Sequence, residues 1–527
     1  MATKTMIPVQ EQAQSVFRRV LRKCFSFPVL MGAVLVATNF AIEKSLRVDP
    51  DTWWHIKYGE SIFNTGHWPT VDTWSFTAHG MPSIPYEWGG EVLTALAYRL
   101  GGLQGLDILL IALTSMIVLL IYYFAWLRCH NPEAAFTGTI LLLPVAAMSF
   151  TLRPQLLGYC FLLITLICLE QFRQGQRNAL WVLPPVFLLW VNIHGSFVLG
   201  FMVMGLYWVT GLAEYSWGDL HTHRWTRGER IRLELAALIC ALTLPITPYG
   251  TRLAMVPLTY AFSLPGNMAH IQEWQPLNIV LWEAKVLLIL FLAFIVAQIA
   301  FRLHHRLEVL ALFLLVTYLA FVHSRFAIIY AIIFAPMAAV ILARWMRAYN
   351  PKIDKYAINA VLILGALGAF AWYMPSQAAL QEHIASEYPV RAVRYLRNHT
   401  LPGRMFNEYA FGGYLVWTRA PGHKVFIDGR GDVYERAGVF SDYIDVINVK
   451  PDALALLHSY QINSCLIYQN SPIATLLAAS PKWKRVYKDE LAAIFVREQN
   501  DTRAEIRTTG TAAEGKSVRT RMLDSGL

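Results

Sequence analysis

Residues 28–46, PVLMGAVLVATNFAIEKSL, run directly into Arg47-Val48-Asp49-Pro50-Asp51-Thr52-Trp53-Trp54-His55. The first stretch has the length and apolarity of a transmembrane helix, which needs roughly 20 such residues. The second sets two carboxylates and an imidazole at the membrane surface, beside aromatic anchors. Outward from this junction, apolar runs recur near residues 104–127, 133–150, 155–172, 179–193, 196–215, 233–247, 284–301, 308–322, 326–345 and 356–373. The composition agrees: of 527 residues 56% are hydrophobic and 15% charged, against about 25% charged in a soluble domain, and the mean hydropathy is +0.40. A disordered chain, a collagenous chain and a small disulfide scaffold are excluded, since the six cysteines follow no pairing framework. The sequence predicts an α-helical polytopic membrane protein of about eleven transmembrane helices.

Loop charge tests the topology, because basic residues gather in short cytoplasmic loops. With the N-terminus cytoplasmic, the inner segments hold clusters such as Arg18, Arg19, Arg22 and Lys23, then Arg224, Arg227, Arg230 and Arg232, then Arg344, Arg347, Lys352 and Lys355. The outer segments between spans offer mainly Arg47, Lys57, Arg99, Arg153, Arg252 and Arg325. Much of the net charge of +10 is therefore topological, and no nucleic-acid partner is implied. A basic stretch before an apolar run also describes a signal peptide. No small-residue cleavage site follows, so the run reads as an uncleaved first span.

Five regions follow: a cytoplasmic basic N-terminus (1–27), a transmembrane region (28–373) with a large first outer loop (47–103), an extracytoplasmic α/β domain (374–498) and a disordered tail (499–527) poor in apolar residues. Within the α/β domain the pattern predicts helices over 388–398 and 452–459, with strands over 404–407, 414–417, 424–427, 464–468 and 491–497. The first loop ends in an amphipathic stretch, Glu91 to Leu100, suited to the membrane interface.

The candidate chemistry lies on the outer side. Asp51 and His55 share a face if the chain turns helical after Pro50, and with Asp49 they could supply a general base or hold a divalent metal, Mg or Mn. The plainer reading gives one aspartate to capping that helix. Glu87 and Glu91, one turn apart, are second candidates. The remaining outer connections carry Arg153, His194, His270, Glu273 and Arg325, and the tail domain carries Asp428 and Arg430 in a Gly-punctuated turn. Arginine at a membrane surface often only snorkels to headgroups, yet several such connections converge with the acidic loop on one side. Cations that hold a phosphate and a carboxylate that deprotonates a hydroxyl suit a lipid-phosphate substrate. No Gly-x-Gly-x-x-Gly unit or Walker loop is present, which favours a donor already anchored in the bilayer.

The Asp49–His55 segment, Asp72–Thr77, Glu87-Trp88, the tail motif Asn407–Tyr414 and Val425–Tyr434 together resemble the GT-C superfamily of integral-membrane glycosyltransferases, in particular a bacterial group within it. The resemblance covers residues 28–497. It implies an inverting hexosyl- or pentosyltransferase of the bacterial cytoplasmic membrane, acting at the outer face among membrane lipids. It would move a sugar from a polyprenyl-phosphate donor to a hydroxyl of a glycolipid, glycan or protein, with Asp51 or Asp49 as base. The Trp-Trp-Asp sequence of oligosaccharyltransferases is missing, which disfavours transfer of a whole oligosaccharide to asparagine. Two rivals remain: a lipid-linked glycan ligase or polymerase, and a transporter or flippase. The second has only Pro184-Pro185 and Pro245 in its favour and lacks the midplane charges and repeats of that class.

Overall fold

A computed structural model describes residues 18–42, 46, 48–263 and 272–498. The tail 499–527, Arg47 and His270 lie outside the described residues.

Each of the eleven apolar runs is helical. Among the described residues five helices are long and apolar enough to cross a membrane: Trp88–Cys129, Gln155–Arg173, Trp282–Phe301, Ser324–Leu342 and Tyr356–Tyr373. A sixth is counted if the bent pair Arg18–Cys24 and Phe27–Ile42 forms one span. Pro132–Ala147, Ala179–Ile193, Phe197–Thr210 and Leu307–Val322 are apolar but shorter. The run at 233–247 lies on Arg227–Thr243, whose first turns are charged and closed by a Thr226–Glu229 capping box. The helices fit a multi-pass membrane protein, while length and composition support fewer full spans than the eleven expected.

The 42-residue helix Trp88–Cys129 is broken at Gly102, where φ is 58°. The break separates an amphipathic arm from the membrane-spanning part and puts glycine where an L side chain is strained. Helix Ala327–Leu342 runs through the middle of the bundle, almost wholly buried. Gly138 lets a neighbouring helix approach it, since a Cβ there would stand 2.7 Å from the Ala335 carbonyl. At the end of the bundle that carries the basic clusters, a small sheet joins β1 (Tyr215–Trp217), β2 (Leu220–Thr222) and β3 (His305–Arg306).

The C-terminal region holds a four-stranded sheet of β4 (Arg404–Asn407), β5 (Ile462–Tyr468), β6 (Trp483–Lys488) and β7 (Ala492–Arg497) in the order β4-β5-β7-β6. β4 and β5 are parallel and the other pairs antiparallel. Two expected strands are absent: 414–417 lies within helix Tyr409–Arg419, and 424–427 contributes only an isolated bridge from Ser75 to Val425. β6 and several short helices were not foreseen. The apolar core runs without a break from the bundle into this region. Trp53 of the first loop packs edge-on against Tyr388 and Tyr414, with ring centroids 5.2 and 5.1 Å apart.

Candidate active site

The site forms where the first-loop helix Pro50–Thr65 meets three interhelical connections. Asp49 is the N-cap of this helix, accepting the Asp51 backbone N–H at 2.9 Å, and Pro50 occupies the first turn. Thr52 Oγ1 donates to the Leu152 carbonyl at 2.8 Å, tying the helix start to the 151–154 connection. That tie brings Arg153 onto both aspartates. Its Nη2 donates to Asp49 Oδ1 at 2.6 Å and to Asp51 Oδ2 at 2.8 Å, while Nη1 donates to Glu273. One guanidinium thus serves three carboxylates. Arg153 and Asp51 keep about a fifth of their side-chain surface open, so a ligand can reach them.

Asp51 Oδ1 accepts the Trp54 indole N–H at 3.0 Å. The tail domain presses on the same spot: a Cβ on Gly429 would stand 1.8 Å from Asp51 Oδ1, and one on Gly413 would stand 2.4 Å from the Pro50 carbonyl. Gly413 and Gly429, one in each tail motif, are therefore required by close approach to the acidic loop. Asp428 and Arg430 are held away from solvent. Arg430 donates from Nε to Asp428 Oδ1 at 2.8 Å and from Nη2 to Oδ2 at 2.6 Å, and pairs through Nη1 with Asp72 at 2.7 Å. Tyr434 completes this buried network on Asp428 at 2.8 Å. Both residues brace the joint between tail and first loop.

Behind the aspartates lies a second group. The Ser196 backbone N–H donates to His194 Nδ1 at 3.1 Å, which leaves the imidazole proton on Nε2, 3.3 Å from Glu87 Oε1. Glu87 Oε2 lies 3.6 Å from His55 Nε2, and His55 Nδ1 lies 3.3 Å from Glu91. Gly89 and Gly90 permit this cluster, since Cβ atoms there would stand 2.9 Å from the Asn192 carbonyl and 2.5 Å from Pro154. Arg325 stacks over the Trp274 ring at 4.3 Å, and the 323–325 turn is tied to Glu273 through Ser324 Oγ at 3.2 Å. Among the described residues no carboxylate pairs with Arg325, whose charge acts on both Glu87 and His194.

Burial dominates the proton affinities. It pushes Asp51 up to about 7, with Arg153 pulling down and Asp49 adding repulsion. It pushes Glu87 up to about 8, again opposed by Arg153. Burial also holds both imidazoles neutral, with His194 down to about 3 and His55 well below its ordinary value. Neutral acids and neutral imidazoles standing together are what a water-poor pocket favours.

A divalent metal does not fit Asp49, Asp51 and His55. The Arg153 guanidinium fills the space between the two carboxylates, and His55 turns to Glu87 and Glu91 instead. Among the described residues no group of three such ligands is gathered, and the expectation of Mg or Mn on this trio is withdrawn. The structure otherwise brings together Asp49, Asp51, Arg153 and Glu273, and beside them Glu87, His55 and His194. Sequence reasoning missed Trp54, three residues from Asp51 on the same helix, and Gly429. Asp72 accepts the backbone N–H groups of Trp74 and Ser75 and is Arg430's partner as well.

The fold is similar to that of a solved oligosaccharyltransferase, in keeping with the resemblance drawn from the sequence motifs. The crystal structure of the Archaeoglobus fulgidus oligosaccharyltransferase tethered to an acceptor peptide is similar over 85% of this chain and 70% of its own, at 12% identity and a TM-score of 0.50. ArnT from Cupriavidus metallidurans in the apo state aligns over 92% of this chain and 98% of its own, at 14% identity and a TM-score of 0.48. No protein-family model and no curated protein matches the sequence. At such identities the likeness is one of fold.

Proposed function

We propose that this chain is a membrane glycosyltransferase that moves a sugar from a polyprenyl-phosphate donor to a hydroxyl of a glycolipid, glycan or protein, with inversion. What supports this reading is Asp51, which keeps about a fifth of its side-chain surface open while burial raises its pKa to about 7, at the start of the first-loop helix of a fold similar to that of an oligosaccharyltransferase. A base works best when its pKa lies near the operating pH. Asp51 takes the proton of the acceptor hydroxyl, whose oxygen attacks the anomeric carbon. The bond to the phosphate oxygen breaks on the opposite side, and the lipid phosphate leaves with the electron pair. Arg325, stacked on Trp274, holds the departing phosphate, and Arg153 orients Asp51. Glu273, Glu87 and His194 line the donor side; Asp428 and Arg430 set the tail domain against the loop.

The domain order and the outward orientation of the site belong to the same proposal. It is tested by mass spectrometry of envelope glycans and glycoproteins from a strain lacking the chain, compared with its parent. Loss of a single-sugar increment is expected. Loss of an entire chain would replace this reading with a ligase, and an unchanged envelope would refute both.

A further inference from the structure

A large cavity lies away from the acidic loop. It is a groove of about 1080 Å³ on the outside of the bundle, between helices Phe27–Ile42, Trp88–Cys129 and Tyr356–Tyr373. Its walls include small residues, among them Gly32, Ala33, Ala112 and Ala366. Their short side chains leave room in the groove, while Gly32 marks a close approach of helix Phe27–Ile42 to Trp88–Cys129, a Cβ there standing 3.2 Å from Leu119. Helix Tyr356–Tyr373 leans on the bundle with only 6% of its apolar window buried, leaving the groove open to the side. All three walls are apolar helices, two of them long enough to cross a membrane and the third part of a bent pair that is long enough if it forms one span, so in the proposed topology lipid fills the groove in place of water.

One end of the groove is basic. Arg19, Arg22 and Lys23 line it, brought there by a 41° bend between helix Arg18–Cys24 and helix Phe27–Ile42. Arg22 lies 5.9 Å from the centroid of the Tyr356 ring. Asp354 stands next to this mouth but is committed elsewhere: it accepts the Phe27 backbone N–H at 2.9 Å and the Asn359 amide at 2.7 Å, with Tyr349 as a third donor. Among the described residues neither Arg22 nor Lys23 has an acidic partner, and both are exposed. An apolar groove in the hydrocarbon layer ending in unneutralised cations matches an amphiphile with an anionic head.

We propose that this groove binds an anionic two-chain phospholipid, with its phosphate on Arg22 and Lys23 and its acyl chains between the three helices. The guanidinium offers a fork to two phosphate oxygens and the ammonium a point charge beside it. From Trp126 to Ile108 the groove follows about 27 Å of helix, close to the roughly 30 Å of the whole hydrocarbon core. The bound lipid's chains therefore fill its basic half, and the remainder faces the other leaflet. This site does not depend on the glycosyl-transfer reading, since it shares no residue with the acidic loop.

Native mass spectrometry of the full chain, given equal amounts of phosphatidylglycerol and phosphatidylcholine with identical acyl chains, tests it. The first bound lipid should be phosphatidylglycerol by roughly 30-fold, the size expected for two membrane-surface cations. R22Q/K23Q should erase this preference while leaving the fold intact, because both side chains are exposed. Ala33→Phe, which fills the groove, should lower uptake of both lipids. Equal uptake by the parent protein overturns the proposal, and so does a preference that survives R22Q/K23Q. Should Ala33→Phe fail to fold, the charge variant alone decides.

Discussion

Asp51 is caught between opposing forces: burial and Asp49 favour its proton, while Arg153 and Trp54 favour its charge. Asp51→Asn keeps the shape and the Trp54 contact but cannot accept a proton. Turnover should fall at least about a hundredfold with donor binding retained, the usual size of general-base assistance; near-normal turnover by purified protein would remove Asp51 from the reaction. Asp49→Asn should cost far less, because asparagine caps a helix about as well as aspartate. The pH dependence has a definite sign. Below about 7 Asp51 holds its proton and is useless as a base, so kcat/KM should rise with pH through that value and then level. Glu87 bears on stability instead. Its folded pKa of about 8 lies above the unfolded value near 4.5, so across that window the folded state binds the extra proton and stability declines as pH rises. Above the ordinary histidine range the imidazoles no longer titrate, and Glu87→Gln should flatten the fall in Tm between about pH 7 and 8. An unchanged slope would mean that Glu87 is ionised throughout.

At the scale of elements, the joint between the first loop and the tail domain governs the site. Gly429→Ala would drive a methyl group into Asp51 Oδ1, so turnover should drop at least about tenfold, as small misplacements of a reacting group do. Arg430→Met leaves Asp428 and Asp72 buried without their cation. Breaking such a pair typically costs about 3–5 kcal/mol, which should appear as a lowered Tm and a poor yield of folded protein; a variant as stable as the parent would make Arg430 a ligand group after all. These elements also show what the sequence could reveal. The apolar runs were legible because a helix in lipid is specified by local composition alone. Tyr414–Trp417 looked like a strand from its β-formers, but Gly412 and Gly413 let a helix seat against Pro50 and Ile427, and that packing overrode propensity. Asp49 and Asp51 stood out for their place after the first span, whereas their link to Arg153, more than a hundred residues away, exists only once the bundle is assembled.

For the whole molecule the decisive quantity is sidedness. The acidic loop, the 151–154 and 192–196 connections and the tail domain meet at one end of the bundle, while the small sheet β1–β3 and the clustered arginines lie at the other. The buried ion network of Glu170 and Arg306, with Arg173 3.4 Å from Glu308, lies at that same basic end. Basic loops remain on the cytoplasmic side, and under the proposed topology the site therefore lies at the outer face, where a lipid-linked sugar would be presented. A membrane-impermeant thiol reagent checks this in intact spheroplasts, using a background in which the exposed Cys24 is replaced by serine. Cysteines at Thr70 and Ser441, both exposed near the site, should be labelled, and one at Ser216, equally exposed on β1, should react only after the membrane is opened. Labelling of Ser216→Cys in intact cells would turn the molecule over. The acidic loop would then face the cytoplasm, and a donor displayed on the outer leaflet could not be its substrate.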